Sequence, residues 1–289
     1  MYEKAQGIVS AFDKALDKNN SFNYRLSIQL SLDGFSFCLI NVEKNKLSGL
    51  EAYQFQGILS SAELIEILGQ IVSESEWLPL KFQHTGIVIE SPKTTLVPQP
   101  LFDDAHPETH LDFDHNIGMG DTSSYDQLRA MNAVNVYALP EILLKQVKTL
   151  FPGSGVFHIA TPLIESLMIH NKNSEEGFRM YVNVRHDYFD IVLLNRNRLE
   201  FYNMFLYKSP TDFAYYIIYV IEQMNLNPET VDVILLGEIK KSTACFEILF
   251  KYVRNIRFYQ RNEGINYSYV FNDIPEHAYF TLLNLHLCE

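Results

Sequence analysis

From residue 24 the chain alternates apolar and polar positions with the period of a strand, and Leu26, Ile28, Leu30 and Leu32 fall on one side. Asp33-Gly34 comes next, a tight-turn pair because glycine tolerates the positive φ such turns need. Phe35 to Ile40 resumes the extended pattern, and Asn45-Lys46 turns the chain into Leu47 to Phe55. Residues 24–56 therefore read as a meander of three antiparallel strands. Residues 179–207 repeat it. With Asp33 laid on Asp187, Phe35 falls on Phe189, Phe37 on Ile191, Leu39 on Leu193 and Asn41 on Asn195. A small length change in the next turn brings Leu47 opposite Leu199 and Tyr53 opposite Phe205.

The segments after the two meanders also agree. Leu64, Ile65, Leu68 and Ile71 have helical spacing over residues 60–73, with a strand beyond them at 85–89. In the second half Ser209-Pro210 opens a helix through Phe213, Tyr216, Ile217 and Val220, and a strand at 231–236 ends on Gly237. The first half continues with a strand at 133–139, a helix at 140–150, a strand at 156–160 and a helix at 161–170. The second continues with a helix at 242–253, a strand at 256–259 and a C-terminal helix from about Pro275 that carries Phe280, Leu283 and Leu287 on one face. The polar stretch Asn171 to Gly177 separates two lobes, 1–175 and 176–289. Residues 91–131 hold prolines and glycines and little periodicity, which marks an inserted subdomain in the first lobe.

Composition narrows the function classes. The chain has 289 residues and is 47% hydrophobic, ample for packed cores. Its 23 Lys and Arg against 35 Asp and Glu give a formal charge of −12, which argues against a nucleic-acid partner or an anionic membrane surface. No apolar run is long enough for a spanning helix or a signal peptide, so a cytoplasmic protein without direct membrane insertion is expected. Cys38, Cys245 and Cys288 are far apart and fit small buried hydrophobes, not a disulfide framework or a zinc site.

Two βββαβαβα units in tandem with an insertion in the first resemble the actin-like ATPase superfamily, a duplicated ribonuclease-H-like α/β fold with mixed sheets. The chain is most similar to an uncharacterised bacterial family and to the pilus-assembly and secretion branch. The resemblance covers residues from about Ser21 to the end. In active members the first strand of each lobe ends in Asp-x-Gly, the carboxylate serving the metal and the glycine admitting phosphate to the backbone. The matching positions here are Gln29 and Ser31 in the first lobe, with Asp33-Gly34 just beyond, and Asn183 and Arg185 in the second. The adenosine element, Gly-Gly in the superfamily, reads Gly237-Glu238, which places an acid where a nucleotide brings negative charge.

The resemblance with these departures implies a non-hydrolysing scaffold or protein-interaction module with a degenerate nucleotide cleft, no confident catalytic residue and no bound cofactor. The unidentified protein partner is expected on the 91–131 insert. The alternative is an ATP-binding protein or a sugar- or acetate-kinase-type phosphotransferase. It would use Asp33 for Mg²⁺ and Gly34, Asn183, Arg185, Gly237 and Glu238 around ATP.

Other constellations are weaker. Asp103, Asp104, His106, Glu108, His110, Asp112, Asp114 and His115 are ligand-type residues without a known metal spacing, and read as a solvated acidic loop. Asp33, Glu51 and Asp190 lie on the strands a ribonuclease-H-like nuclease would use, but no basic stripe accompanies them. No GxSxG element supports serine catalysis. Tyr215, Tyr216 and Tyr219 crowd one helix and fit packing against a sheet.

Overall fold

The first meander forms as its alternation dictates. In the computed structural model, which describes residues 5–57, 60–173, 177–261 and 264–288, it comprises β2 (Tyr24–Leu30), β3 (Gly34–Asn41) and β4 (Lys46–Phe55), preceded by β1 (Ala5–Phe12). Helix α1 (Ser61–Glu74) is next. Its start is fixed by a capping box in which Ser60 accepts from the Glu63 amide while the Glu63 carboxylate accepts from the Ser60 amide. Then come β5 (His84–Ile89), β6 (Thr94–Pro98), α2 (Glu108–Leu111), β7 (Asp121–Leu128), β8 (Ala133–Pro140), α3 (Glu141–Leu150), β9 (Gly155–His158) and α4 (Ala160–His170).

The second half contains β10 (Phe178–Val184), β11 (Tyr188–Asn195), β12 (Arg198–Leu206), α5 (Pro210–Gln223), β13 (Asp232–Gly237), α6 (Ala244–Leu249) and β14 (Asn255–Phe258). Short β15 (Asn266–Tyr267) and α7 (Phe280–Asn284) close the described chain. Two compact units result. One is Met1–Ser166 with Glu263–Asp273 and Thr281–Glu289; the other is Leu167–Asn262 with Ile274–Phe280.

The main sheet of the first unit has the order β1-β4-β3-β2-β5-β9, and that of the second β12-β11-β10-β13-β14. Setting β1 aside, both have the order third, second, first, fourth, fifth strand, with the last two parallel to the first. The likeness extends to single residues. Phe35 faces Tyr53 as Phe189 faces Phe205, and Ile40 faces Leu47 as Leu194 faces Leu199. Each meander carries a register shift at the same place, Leu39/Ile40 and Leu193/Leu194. The two cores also use matching positions: Leu26, Ile28, Leu30, Phe35, Phe37 and Leu39 in one, Met180, Val182, Val184, Phe189, Ile191 and Leu193 in the other. Alternation points these side chains to one face, where α1 and α3, or α5 and α6, cover them.

Two expectations are corrected. The strand at 133–139 does not join the main sheet. As β8 it lies between β6 and β7 in a separate three-stranded sheet, so the segment read as unpatterned contains two further strands. Its core is Val97, Leu111, Val134, Val136 and Ala138. With this sheet, α2 and β1 set aside, the first half runs βββαβαβα. The C-terminal helix begins at Phe280, not Pro275. Tyr279 adopts φ +57°, which an α-helix cannot contain, and His277 is held beside β13 by the Gly237 amide donating to its carbonyl at 2.8 Å.

Candidate functional site

Strand alternation decides where the residues at the end of β10 point. Asn183 and Arg185 lie two residues apart, and so on one face, opposite to Val182 and Val184 in the core. Asn183 is directly opposite Asp190 on β11. Asp190 is fully buried, and three donors converge on it. Arg185 Nη2 donates to Oδ2 at 2.9 Å, Asn183 Nδ2 to the same oxygen at 3.2 Å, and the Tyr202 hydroxyl to Oδ1 at 3.2 Å. Burial, reinforced by the Asp190 charge, pushes the Tyr202 phenol well above its ordinary range, so it stays a donor. The Arg185 guanidinium also lies 6.0 Å from the Tyr188 ring centre. Arg185 is thus a buried member of an ion pair.

Gly237 closes β13 at φ +80°. A Cβ there would meet the Val184 carbonyl oxygen at 2.1 Å and Asn183 Oδ1 at 3.0 Å, so the packing against β10 demands glycine. The backbone donors here are already used. The Arg185 amide donates to Tyr188 O, Gly237 to His277 O and Glu238 to Val184 O, each at 2.8 Å. Asn183, Arg185, Gly237 and Glu238 therefore come together at one end of the second sheet.

The first unit repeats this geometry with other side chains. The Ser31 amide donates to Gly34 O at 3.0 Å, and the Ser31 hydroxyl lies 2.5 Å from Asp33 Oδ1 and 3.1 Å from Gly34 O. Gln29 Nε2 donates to Glu90 Oε1 at 2.9 Å, and the Glu90 amide to Leu30 O at 3.0 Å, as Glu238 does to Val184. Glu90 and Glu238 occupy matching places after Ile89 and Gly237. Gly34 begins β3, where a Cβ would stand 3.1 Å from Tyr53 O. Asp33 faces its own turn, and Glu51 accepts from the Tyr53 hydroxyl at 3.0 Å.

The acidic segment does not gather its ligand-type residues. His115 Nε2 donates to Thr94 O at 3.0 Å, while His110 Nε2 accepts from the Asp103 amide at 3.3 Å. Among the described residues no three His, Cys, Asp or Glu side chains are grouped to hold a metal ion. Tyr216 packs on Phe205 at 5.0 Å, and exposed Tyr215 and Tyr219 stack on each other at 6.2 Å.

A second polar cluster was not anticipated. Buried Asp126 on β7 accepts from the Tyr137 hydroxyl at 3.0 Å, the His158 amide at 2.9 Å and the Thr161 hydroxyl at 2.7 Å. The Ala160 amide donates to His158 Nδ1, so the neutral ring carries its proton on Nε2 and donates to Ser91 O at 2.8 Å. Asn135 Nδ2 donates to the Thr161 hydroxyl at 3.0 Å. These bonds tie the three-stranded sheet to the end of β9 and the first turn of α4. Burial outweighs the three donors and pushes Asp126 up to about 6. The available signal was a polar residue inside an apolar run: Asn135 between Val134 and Val136, and His158 after Val156-Phe157.

The strand order, the duplication and the paired loops define an actin-like ATPase fold. The chain belongs to the protein family of unknown function DUF3822, whose model matches residues 13–256. Its structure is similar to a protein with actin-like ATPase fold and unknown function from Bacteroides thetaiotaomicron, with TM-score 0.78 and 24% identity over 95% of this chain and 99% of that one. It is also similar to a chain of the PilM-PilN type IV pilus biogenesis complex, with TM-score 0.59 and 13% identity over 91% and 97%. A third is the ethanolamine utilization protein EutJ from Carboxydothermus hydrogenoformans, with TM-score 0.50 and 9% identity over 92% and 90%. None of the curated proteins compared matches the sequence. No helix among the described residues is long and apolar enough to cross a membrane.

Proposed function

We propose that the chain is a non-hydrolysing protein of the actin-like ATPase fold that acts through protein contacts. The observation that carries this reading is the Arg185–Asp190 pair in the place of a phosphate loop. A phosphate at that position would have to draw Arg185 from a buried carboxylate, and leaving one buried charge unpaired costs about 3–5 kcal/mol. The neighbouring amides of Arg185 and Gly237 already serve carbonyl oxygens, and so does that of Ser31 in the other lobe. The nucleotide loops are thereby closed on themselves. Titration calorimetry with Mg-ATP tests this: no binding is expected at millimolar nucleotide, and submillimolar binding would contradict it. Gly237 is a poor probe for such work, since any side chain there strikes Val184.

The partner surface in this reading is the 91–131 insert. Exposed Leu101, Phe113 and Met119 supply apolar area within a segment that holds six Asp and one Glu. Phe113→Asp with Met119→Asp should abolish co-purification of a partner without touching Leu111, which is buried in the insert core. Unchanged association would move the partner elsewhere.

A further inference from the structure

Two exposed turns, one in each unit, are built alike and carry opposite charge. The first closes α2. The Asp112 amide donates to Glu108 O at 3.2 Å, and those of Asp114 and His115 to Leu111 O at 3.1 and 2.8 Å. Leu111 lies fully buried in the insert core and holds the turn from beneath. Asp112, Phe113 and Asp114 stand exposed above it, Phe113 at 88%. The second turn closes α6. The Tyr252 and Val253 amides donate to Leu249 O at 3.0 and 3.1 Å, and that of Arg254 to Pro228 O at 3.1 Å. Leu249 and Val253 are buried in the core of the second unit. Phe250, Lys251, Tyr252 and Arg254 are exposed, the two rings at 61% and 57%.

None of the ion pairs among the described residues uses Asp112, Asp114, Lys251 or Arg254. The surroundings of each turn extend its charge. The 91–131 insert has seven acids against Lys93 and Arg129, whereas residues 240–257 hold five Lys and Arg against Glu247 alone. The formal −12 is also divided unevenly. The first unit has 11 Lys and Arg against 23 Asp and Glu, and the second has 12 of each, so all of it falls on the first.

We propose that copies of the chain associate through these turns, the Asp112–Asp114 turn of one copy docking on the Phe250–Arg254 turn of another. The proposal rests on the insert being a partner surface, and it names a second copy as that partner. Phe113 packs on the Phe250 and Tyr252 rings, a contact worth more than its buried area alone. The carboxylates on either side of Phe113 meet Lys251 and Arg254, so charge is complementary around an aromatic centre. A polyanion would satisfy the basic turn only, and a basic protein the acidic turn only; a second copy satisfies both. Buried residues hold each turn in place beforehand, so little order is lost on docking. The two surfaces are unlike, which makes the contact heterologous.

Sedimentation velocity of the purified full chain at rising concentration tests this. The average mass should climb above the 33.5 kDa of one chain. Lys251→Glu with Arg254→Glu in one variant, and Asp112→Lys with Asp114→Lys in another, set like charges against each other. Each should weaken association by about tenfold or more. An equimolar mixture of the two variants should associate again, because each supplies the turn that the other lacks. A wild type that stays at 33.5 kDa, a variant that associates as the wild type does, or a mixture that stays monomeric would each overturn the proposal. A monomeric wild type whose co-purified partner is still lost on Phe113→Asp with Met119→Asp would overturn it too, while keeping the insert as the surface for a different protein.

Discussion

Arg185 and Asp190 show how much one pair of residues decides. Asp190 is fully buried, and Arg185 supplies the only full positive charge among its three donors. Arg185→Ala should destabilise the protein by about 3 kcal/mol or more in denaturant melts, because the carboxylate loses its counter-charge. A loss under 1 kcal/mol, on the order of a solvent-exposed pair, would show that water reaches Asp190. Gly237 is the second decisive residue. Gly237→Ala forces a Cβ to 2.1 Å from Val184 O at φ +80° and should cost about 3 kcal/mol. The sequence exposed both positions as departures from, or survivals of, a phosphate-binding pattern. It did not reveal that Arg185 meets Asp190, since that contact depends on cross-strand register, nor that Gly237 serves strand packing.

At the scale of elements, the duplicated meanders, α1 and α5 were legible because two-fold alternation and helical spacing are local properties. The three-stranded sheet was not. β7 reads Asp-Thr-Ser-Ser-Tyr-Asp-Gln-Leu, with polar residues on both faces, and only its pairing with β8 makes it a strand. Its attachment through Asp126 should be visible in pH-dependent stability. Asp126 titrates near 6 when folded and near 3.8 in an unperturbed chain. Both forms are protonated below that window, so stability is fullest there. As pH rises from about 4 to about 6 the unfolded chain alone gives up its proton, and stability falls by about 3 kcal/mol. Asp126→Asn should remove that part of the slope, whatever its own stability, when unfolding is measured across pH 3–7; an unchanged slope would place the titration elsewhere. Strand β1 had no clear pattern of its own, because all but Ala5 is partly or fully exposed. Removing residues 1–12 should lower the melting temperature, since Phe12 stacks on Trp77 at 5.9 Å and β4 loses its cover.

At the scale of the whole chain, the duplication was the most legible feature and gave the fold class directly. The departure of Glu263–Asp273 and Thr281–Glu289 to the first unit was not legible, because β15 has only two residues and the spacing of Phe280, Leu283 and Leu287 marks a helix without saying which core it joins. Both copies of the fold are proposed to have closed their nucleotide loops. Thermal unfolding with and without millimolar Mg-ATP tests this most directly, since a ligand that binds only the folded state must raise its stability, by about 2.7 kcal/mol at one hundred times its Kd. The expected result is an unchanged melting temperature. A rise that saturates at submillimolar Mg-ATP would contradict the account.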